Sequence, residues 1–348
     1  MKRVAAVTTP WIVGLAARTP VGLGAESTAA AVRAGISRLR EHPFLTDAMG
    51  DPLRCGRDQR LDPYQIGVPR IAALTRVVLE EIVGKLGSSL HAGTPLILVL
   101  PERRPGLEED DEAELLDAIG AFTTGFRLQL GQRGHAGALS ALVQAQDQLK
   151  RGAPVAIILG VDSYLDPETL RWLDDDGRLT GTAVRGAFPP GEAAAALALA
   201  SVPSQGGAGR CLPVLVRGVG VAKESLSRDS DVGVLGEGLT LALREATANL
   251  QLPEEAVDDL YGDINGERHR TDDWVFSQLR FPGFARRASD YQLLSSSIGD
   301  VGAATGALAC VLAVRAWERG YAAGPRALIW AGSDGGLRAA AVLQRGDA

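Results

Sequence analysis

Residues 126–150, Phe-Arg-Leu-Gln-Leu-Gly-Gln-Arg-Gly-His-Ala-Gly-Ala-Leu-Ser-Ala-Leu-Val-Gln-Ala-Gln-Asp-Gln-Leu-Lys, constrain this chain more than any other stretch. They read as a short strand, a glycine-rich turn from Gly131 to Gly134, and a helix running to Lys150. Leu139, Leu142, Val143 and Leu149 fall on one side of that helix and Gln144, Asp147 and Lys150 on the other, a helical period. Many α/β enzymes hold a nucleophile where a strand turns sharply into a buried helix, because helix-terminal N–H groups and the dipole stabilise negative charge there. Here the turn carries His135, neither Cys nor Ser. Alone, the stretch reads most simply as a packing turn with an incidental histidine.

The 348 residues suffice for two medium domains or one large layered unit. Hydrophobic residues at 46% provide an ample core, and aromatics at only 5% beside abundant Ala and Gly predict close packing by small side chains. A formal charge of −6 opposes nucleic-acid binding, which needs basic surface to displace counterions. It does not exclude an acidic carrier protein, for which a local basic patch suffices. No apolar run approaches a membrane span, and Met1-Lys-Arg-Val lacks the apolar core of a signal peptide, so a cytoplasmic location is expected. Cys55, Cys211 and Cys310 are odd in number and lack a Cys-x-x-Cys spacing, which fits reduced thiols and neither a zinc site nor a disulfide framework.

Strands are expected at 4–15, 94–100, 153–160, 212–221, 258–264, 326–331 and 337–344. Helices are expected up to Val32 and at 62–86, 115–122, 236–249, 271–279 and 303–319. The polar stretch 101–114 reads as a surface loop, 166–178 as solvent-facing, and the acidic runs 108–112 and 174–176 as solvated loops. Residues 204–210, Ser-Gln-Gly-Gly-Ala-Gly-Arg, form the clearest break. They divide an N-terminal half, 1–203, from a C-terminal half, 211–348, and the order of elements then repeats without obvious residue-level repetition.

In order, these landmarks resemble the β-ketoacyl synthase branch of the thiolase-fold condensing enzymes. The opening segment 14–24 with Thr19-Pro-Val-Gly, the short Ala34-Gly-Ile-Ser37, and the strand in 151–162 are similar to family segments. Residues 185–197 match the family's Gly-Glu-Gly-Ala segment and the strand it opens. On that ground 191–200 is expected to be a strand, although its alanines favour a helix. Residues 295–307 resemble the Lys-Ser-x-x-Gly-His motif, and 332–338 the C-terminal Phe-Gly-Gly-Thr-Asn turn. The resemblance covers nearly the whole chain. It implies a five-layer αβαβα fold of two pseudo-duplicated α/β halves, with helices near 135–150 and 303–319 at the centre. It also implies a dimer in which the segment before His135 presents a sheet edge to a twin or to an active synthase, with an acyl carrier protein as a further partner.

The positions matching the family's active site differ. Its nucleophilic Cys matches His135, its first histidine Asn265, its second histidine Asp300 and its lysine Ser295. The family's eight-residue spacing to an Asp reaches Asp273, which supports the register. Condensation needs a thiolate to carry the acyl group and two imidazoles to drive decarboxylation and stabilise the enolate. The expectation is a catalytically inactive synthase homologue, needing no cofactor or metal, that binds or scaffolds as a chain-length factor does. One alternative is a hydrolytic or acyl-transfer enzyme in which Asp300 orients His135 as a base, with Asn265 nearby. Another is an interaction protein outside fatty-acid or polyketide metabolism. His269 could join Asn265 in a metal site but reads better as a solvated loop histidine, and His42 and His91 carry no signal.

Overall fold

The computed structural model describes residues 9–47, 49–180, 186–203 and 211–346. The link at 204–210, the start of the expected first strand and Arg185 lie outside them. The chain opens with β1 (Trp11–Arg18), α1 (Ala25–Arg33), β2 (Leu39–Thr46), β3 (Pro52–Gly56), α2 (Gly67–Leu86) and β4 (Thr94–Val99). There follow α3 (Glu109–Thr123), β5 (Phe126–Leu130), α4 (Gly137–Lys150), β6 (Val155–Ser163), α5 (Pro167–Asp175) and β7 (Glu192–Ala200). The second half runs through β8 (Val214–Lys223), α6 (Glu237–Thr247), β9 (Asp259–Gly262), α7 (Arg268–Arg280) and β10 (Tyr291–Leu293). It ends with α8 (Ser295–Ile298), α9 (Thr305–Glu318), β11 (Arg326–Gly332) and β12 (Leu337–Arg345).

Strand order carries the duplication that residue identities hide. The main ladder runs β10-β9-β11-β12-β8-β1-β7-β6-β4-β5. Taking β1, β4, β5, β6 and β7 as strands one to five gives the spatial order one-five-four-two-three. Taking β8 to β12 the same way gives the identical order. In both halves the second strand is parallel to its neighbours, and the fifth is antiparallel to the first and fourth. The halves join where Trp11 pairs with Leu215 and Ile12 with Val214.

Three apolar clusters give five layers. The largest lies between the halves and contains α4, α9 and the inward side chains of both sheets. A second packs α2 and α3 on the outer face of the first half, and a third packs α6 and α7 on the outer face of the second. This is the expected αβαβα arrangement with two central helices. Helix α9 is buried from Thr305 to Trp317, Cys310 included, as an interior helix apolar on every side must be. Small residues let the layers meet: a Cβ on Gly160 of β6 would stand 2.4 Å from the carbonyl oxygen of Ala303. Strand β7 shows context overriding propensity. Paired antiparallel to both β1 and β6, it turns Ala193, Ala195, Leu197 and Leu199 inward and Ala194, Ala196 and Ala198 toward α2.

Several local expectations are corrected. The acidic run 108–112 is not a loop: Glu109, Asp110, Asp111 and Glu112 form the first turn of α3, where carboxylates face the positive end of the helix dipole. Residues 166–178 are not simply solvent-facing either. Asp166 caps α5 by accepting from Glu168 N and Thr169 N, Leu170 and Leu173 are buried, and so is Arg178. His42 is buried on β2, where burial depresses its pKa to about 4. Among the described residues no helix is long and apolar enough to cross a membrane.

Candidate functional site

The turn between β5 and α4 places His135 at the centre of the molecule, 2% exposed. Gly134 makes this possible with φ +75, since a side chain there would strike Glu102 and Ser333. Ser333, in the turn between β11 and β12, fixes the neighbouring backbone by accepting from Ala136 N and donating to the Arg133 carbonyl. Asp300 comes from the loop between α8 and α9, with its own N–H donating to Pro189 O. Asn265 comes from the loop between β9 and α7.

Three of the four matching positions form one hydrogen-bonded cluster. His135 Nε2 lies 2.8 Å from Asp300 Oδ1, and Asn265 Nδ2 donates to Asp300 Oδ2 at 2.5 Å. Gly302 N also donates to Asp300, at 2.8 Å. Ser295 stands at the start of α8, its hydroxyl donating to Ile264 O at 3.2 Å. It borders the same small space but makes no hydrogen bond to the other three.

The sequence reading missed the cations that complete the cluster. Arg270 donates to Asp263 and to Gly332 O, each at 2.6 Å, pairs with Asp334 at 3.2 Å, and places Nη2 3.4 Å from His135 Nδ1. Glu267 accepts from Arg178 at 2.7 Å, from Asn265 at 3.0 Å and from Arg270 at 3.3 Å. The local signal was the charge density of Asn265-Gly-Glu-Arg-His-Arg270. His269 is no solvated loop residue: it sits in the first turn of α7, mostly buried, and burial with Arg270 lowers its pKa to about 4. No group of three or more His, Cys, Asp or Glu among the described residues is placed to hold a metal.

Burial and Arg270 oppose an imidazolium at His135, but the charge of Asp300 and its hydrogen bond outweigh them, and the pKa lies above the usual 6.5. Burial alone would raise Asp300, yet His135 and Arg270 hold it far below 3.8. A protonated His135 is no base. In the neutral form, with its proton on Nε2 toward Asp300, the remaining nitrogen accepts from a guanidinium. Burial pushes the thiols of Cys55, Cys211 and Cys310 to about 12, so none is a ready thiolate.

The space among His135, Asn265, Ser295 and Asp300 measures about 10 Å³, at the lower limit for one water molecule. A larger cavity of 310 Å³ reaches His135 from the other side. Its walls mix charged groups, Glu102, Arg104, Arg178, Arg228 and Asp334, with the aromatic rings of Tyr164 and Trp172.

No family profile matches the sequence, and no curated protein matches it either. Solved structures do match over nearly the full chain. A ketosynthase bound to a hexaketide and complexed with its type II acyl-carrier protein superposes with TM-score 0.77 at 14% identity, covering 97% of this chain and 100% of that one. The chain has the ketosynthase fold. A ketosynthase in complex with its chain length factor, from Xenorhabdus doucetiae, gives TM-score 0.76 at 14% identity over 97% of this chain and 98% of that one. A β-ketoacyl synthase from Burkholderia phymatum gives 0.71 at 13% over 97% and 100%.

The His135–Asp300 pair defines a pH window for this ketosynthase-fold chain. A carboxyl depressed in the folded state stabilises above its unfolded value, near 3.8, and loses that contribution as pH falls through its folded value. A histidine raised in the folded state stabilises fully below 6.5 and loses the contribution as pH rises through its folded value. The pair is therefore expected to stabilise most between about pH 4 and pH 6.5. The loss of urea midpoint caused by His135→Gln should be larger at about pH 5 than at about pH 9. An equal loss at both would show that His135 contributes by packing alone.

Proposed function

We propose that this chain is a catalytically inactive ketosynthase homologue that works as a binding or scaffolding subunit, as a chain-length factor does beside an active synthase. The observation that carries this reading is the hydrogen-bonded cluster at the positions matched to the family's active site, where Asp300 is engaged by His135, Asn265 and Gly302. On the side of Asn265 and Ser295 the space measures only about 10 Å³, enough for about one water molecule. The engaged nitrogens of His135 and the buried, protonated cysteines support the same reading.

Pairing through β5 follows from the strand's position. It is the outer strand of the first half, hydrogen-bonded among the described residues to β4 alone, and so leaves an unpaired edge there. Leu130 on β5 is 44% exposed and Val143 on α4 is 39% exposed, apolar surface of the kind a partner strand and helix cover. Light scattering should report twice the 36.5 kDa chain mass, or a stoichiometric complex with a co-expressed synthase. Leu130→Asp should shift either species to a monomer that still unfolds cooperatively in urea. A monomer across micromolar concentrations, with no copurifying partner, would count against the subunit role.

A second reading takes support from the 310 Å³ cavity that reaches His135: hydrolysis or acyl transfer with the imidazole as base. For a base, however, the raised pKa and the Arg270 contact are adverse. Hydrolysis of a carrier-bound or small thioester, abolished by His135→Ala, would favour it.

A further inference from the structure

A groove of 390 Å³ lies between the β2–β3 hairpin and α5, and it shares no lining residue with the cavities that reach His135. Its floor is Leu53 of β3 with Leu170 and Leu179, part of a small apolar cluster apart from the three that form the layers. The hairpin wall is shaped by a break in its ladder. Pairing shifts between Glu41 and Thr46, and there the buried His42 accepts from Leu45 N at 3.2 Å through Nδ1. The bulge brings Phe44, 42% exposed, to the groove, and a parallel stack on Tyr64, centroids 4.9 Å apart, holds its ring. A wall already held in place costs a partner little ordering. The rim is acidic: Asp47, Asp174 and Asp175 line it, against one cation, Arg171, among the described lining residues. Asp174 and Asp175 end α5, whose last turn holds no basic residue, so they sit at the negative end of its dipole. The next residue, Asp176, is matched by Arg228, whereas Asp175 is exposed and forms no ion pair among the described residues. A cation set there would meet both the carboxylates and the favourable end of the dipole.

We propose that this groove docks a basic, amphipathic segment of a partner protein, which lays apolar side chains on the leucine floor and sets a Lys or Arg beside Asp175. Charge selects this occupant over others. A second copy of the chain brings a formal charge of −6, and an acidic protein or an anionic membrane surface would also meet like charge. The leucine floor supplies the apolar contact that a free cation could not use. The groove needs none of the chemistry at His135, so the proposal stands whether or not the chain is catalytic.

The test is a selection on the intact protein from a phage-displayed library of random dodecapeptides, passed first over Asp175→Lys to remove peptides that bind elsewhere. Peptides enriched on the unmodified protein are expected to carry an excess of Lys and Arg beside apolar residues. Followed singly by fluorescence anisotropy, they should bind about tenfold more weakly to Asp175→Lys and to Phe44→Ala, and more weakly as salt rises. Both substituted residues are exposed, and each variant's urea midpoint shows that it is folded. No enrichment, enriched peptides without an excess of basic residues, or unchanged affinity in either variant would each overturn the proposal. A change of oligomeric mass caused by Asp175→Lys would assign the groove to a second copy and overturn it too.

Discussion

Glu192→Ala is expected to lower the unfolding free energy by about 3–5 kcal/mol, because it strands a buried cation. Glu192 is fully buried at the start of β7, and Arg70 of α2 is 1% exposed. Arg70 Nε and Nη2 donate to the two carboxylate oxygens at 2.5 and 2.6 Å, and Asp58 N and Ser163 Oγ donate at 2.7 and 2.9 Å. One carboxylate thus ties α2, the loop after β3, the end of β6 and β7 together. Removing it leaves the guanidinium only its carbonyl contacts with Asp62 and Gln65. Glu192→Gln keeps acceptor and shape but not charge, and should cost less. Replacing both partners by Leu and Met should cost least, since no bare charge remains. Urea midpoints of the three variants check the order. If Glu192→Ala lost less than about 1 kcal/mol, water would have to reach Arg70.

The layers of this fold were legible because their determinants are local. A glycine turn before a small-residue helix marked α4, and a long run of small and apolar residues marked α9. Strand β7 was not legible on propensity: its alanines say helix, and only the resemblance placed a strand there. The hairpin β2–β3 went unseen because Arg40, Glu41, His42 and Pro43 break the alternation a strand would show. In the site, His135, Asn265 and Asp300, singled out from the sequence by the resemblance, stand in one hydrogen-bonded cluster though they lie far apart in sequence. Arg178 and Arg270 were not legible. Their partners, Glu267 for the first and Asp263, Asp334 and His135 for the second, are set by tertiary packing, and in one sequence such charges look the same as solvated ones.

Decarboxylative condensation is expected to be absent from this protein. With acyl and malonyl carrier proteins as substrates, neither CO₂ release nor chain extension should exceed the no-enzyme control. On the proposed reading each group the reaction uses is replaced at its matching position: thiol by His135, imidazoles by Asn265 and Asp300, ammonium by Ser295. Groups that act as a unit leave little rate once all are gone, and losing even one costs orders of magnitude. His135→Cys alone should not restore turnover, for a reason that the structure adds to the chemistry. The new thiol would face Asp300, a carboxylate that opposes both its ionisation and any developing enolate. Adding Asp300→His, Asn265→His and Ser295→Lys supplies the remaining groups at the same positions. Activity of that quadruple variant would show that side-chain identity was the barrier, and its silence, with the variant folded, would show that more than these four side chains separates the chain from an active synthase. Turnover by the unmodified protein that His135→Ala abolishes would overturn the inactive reading and make His135 the catalytic base.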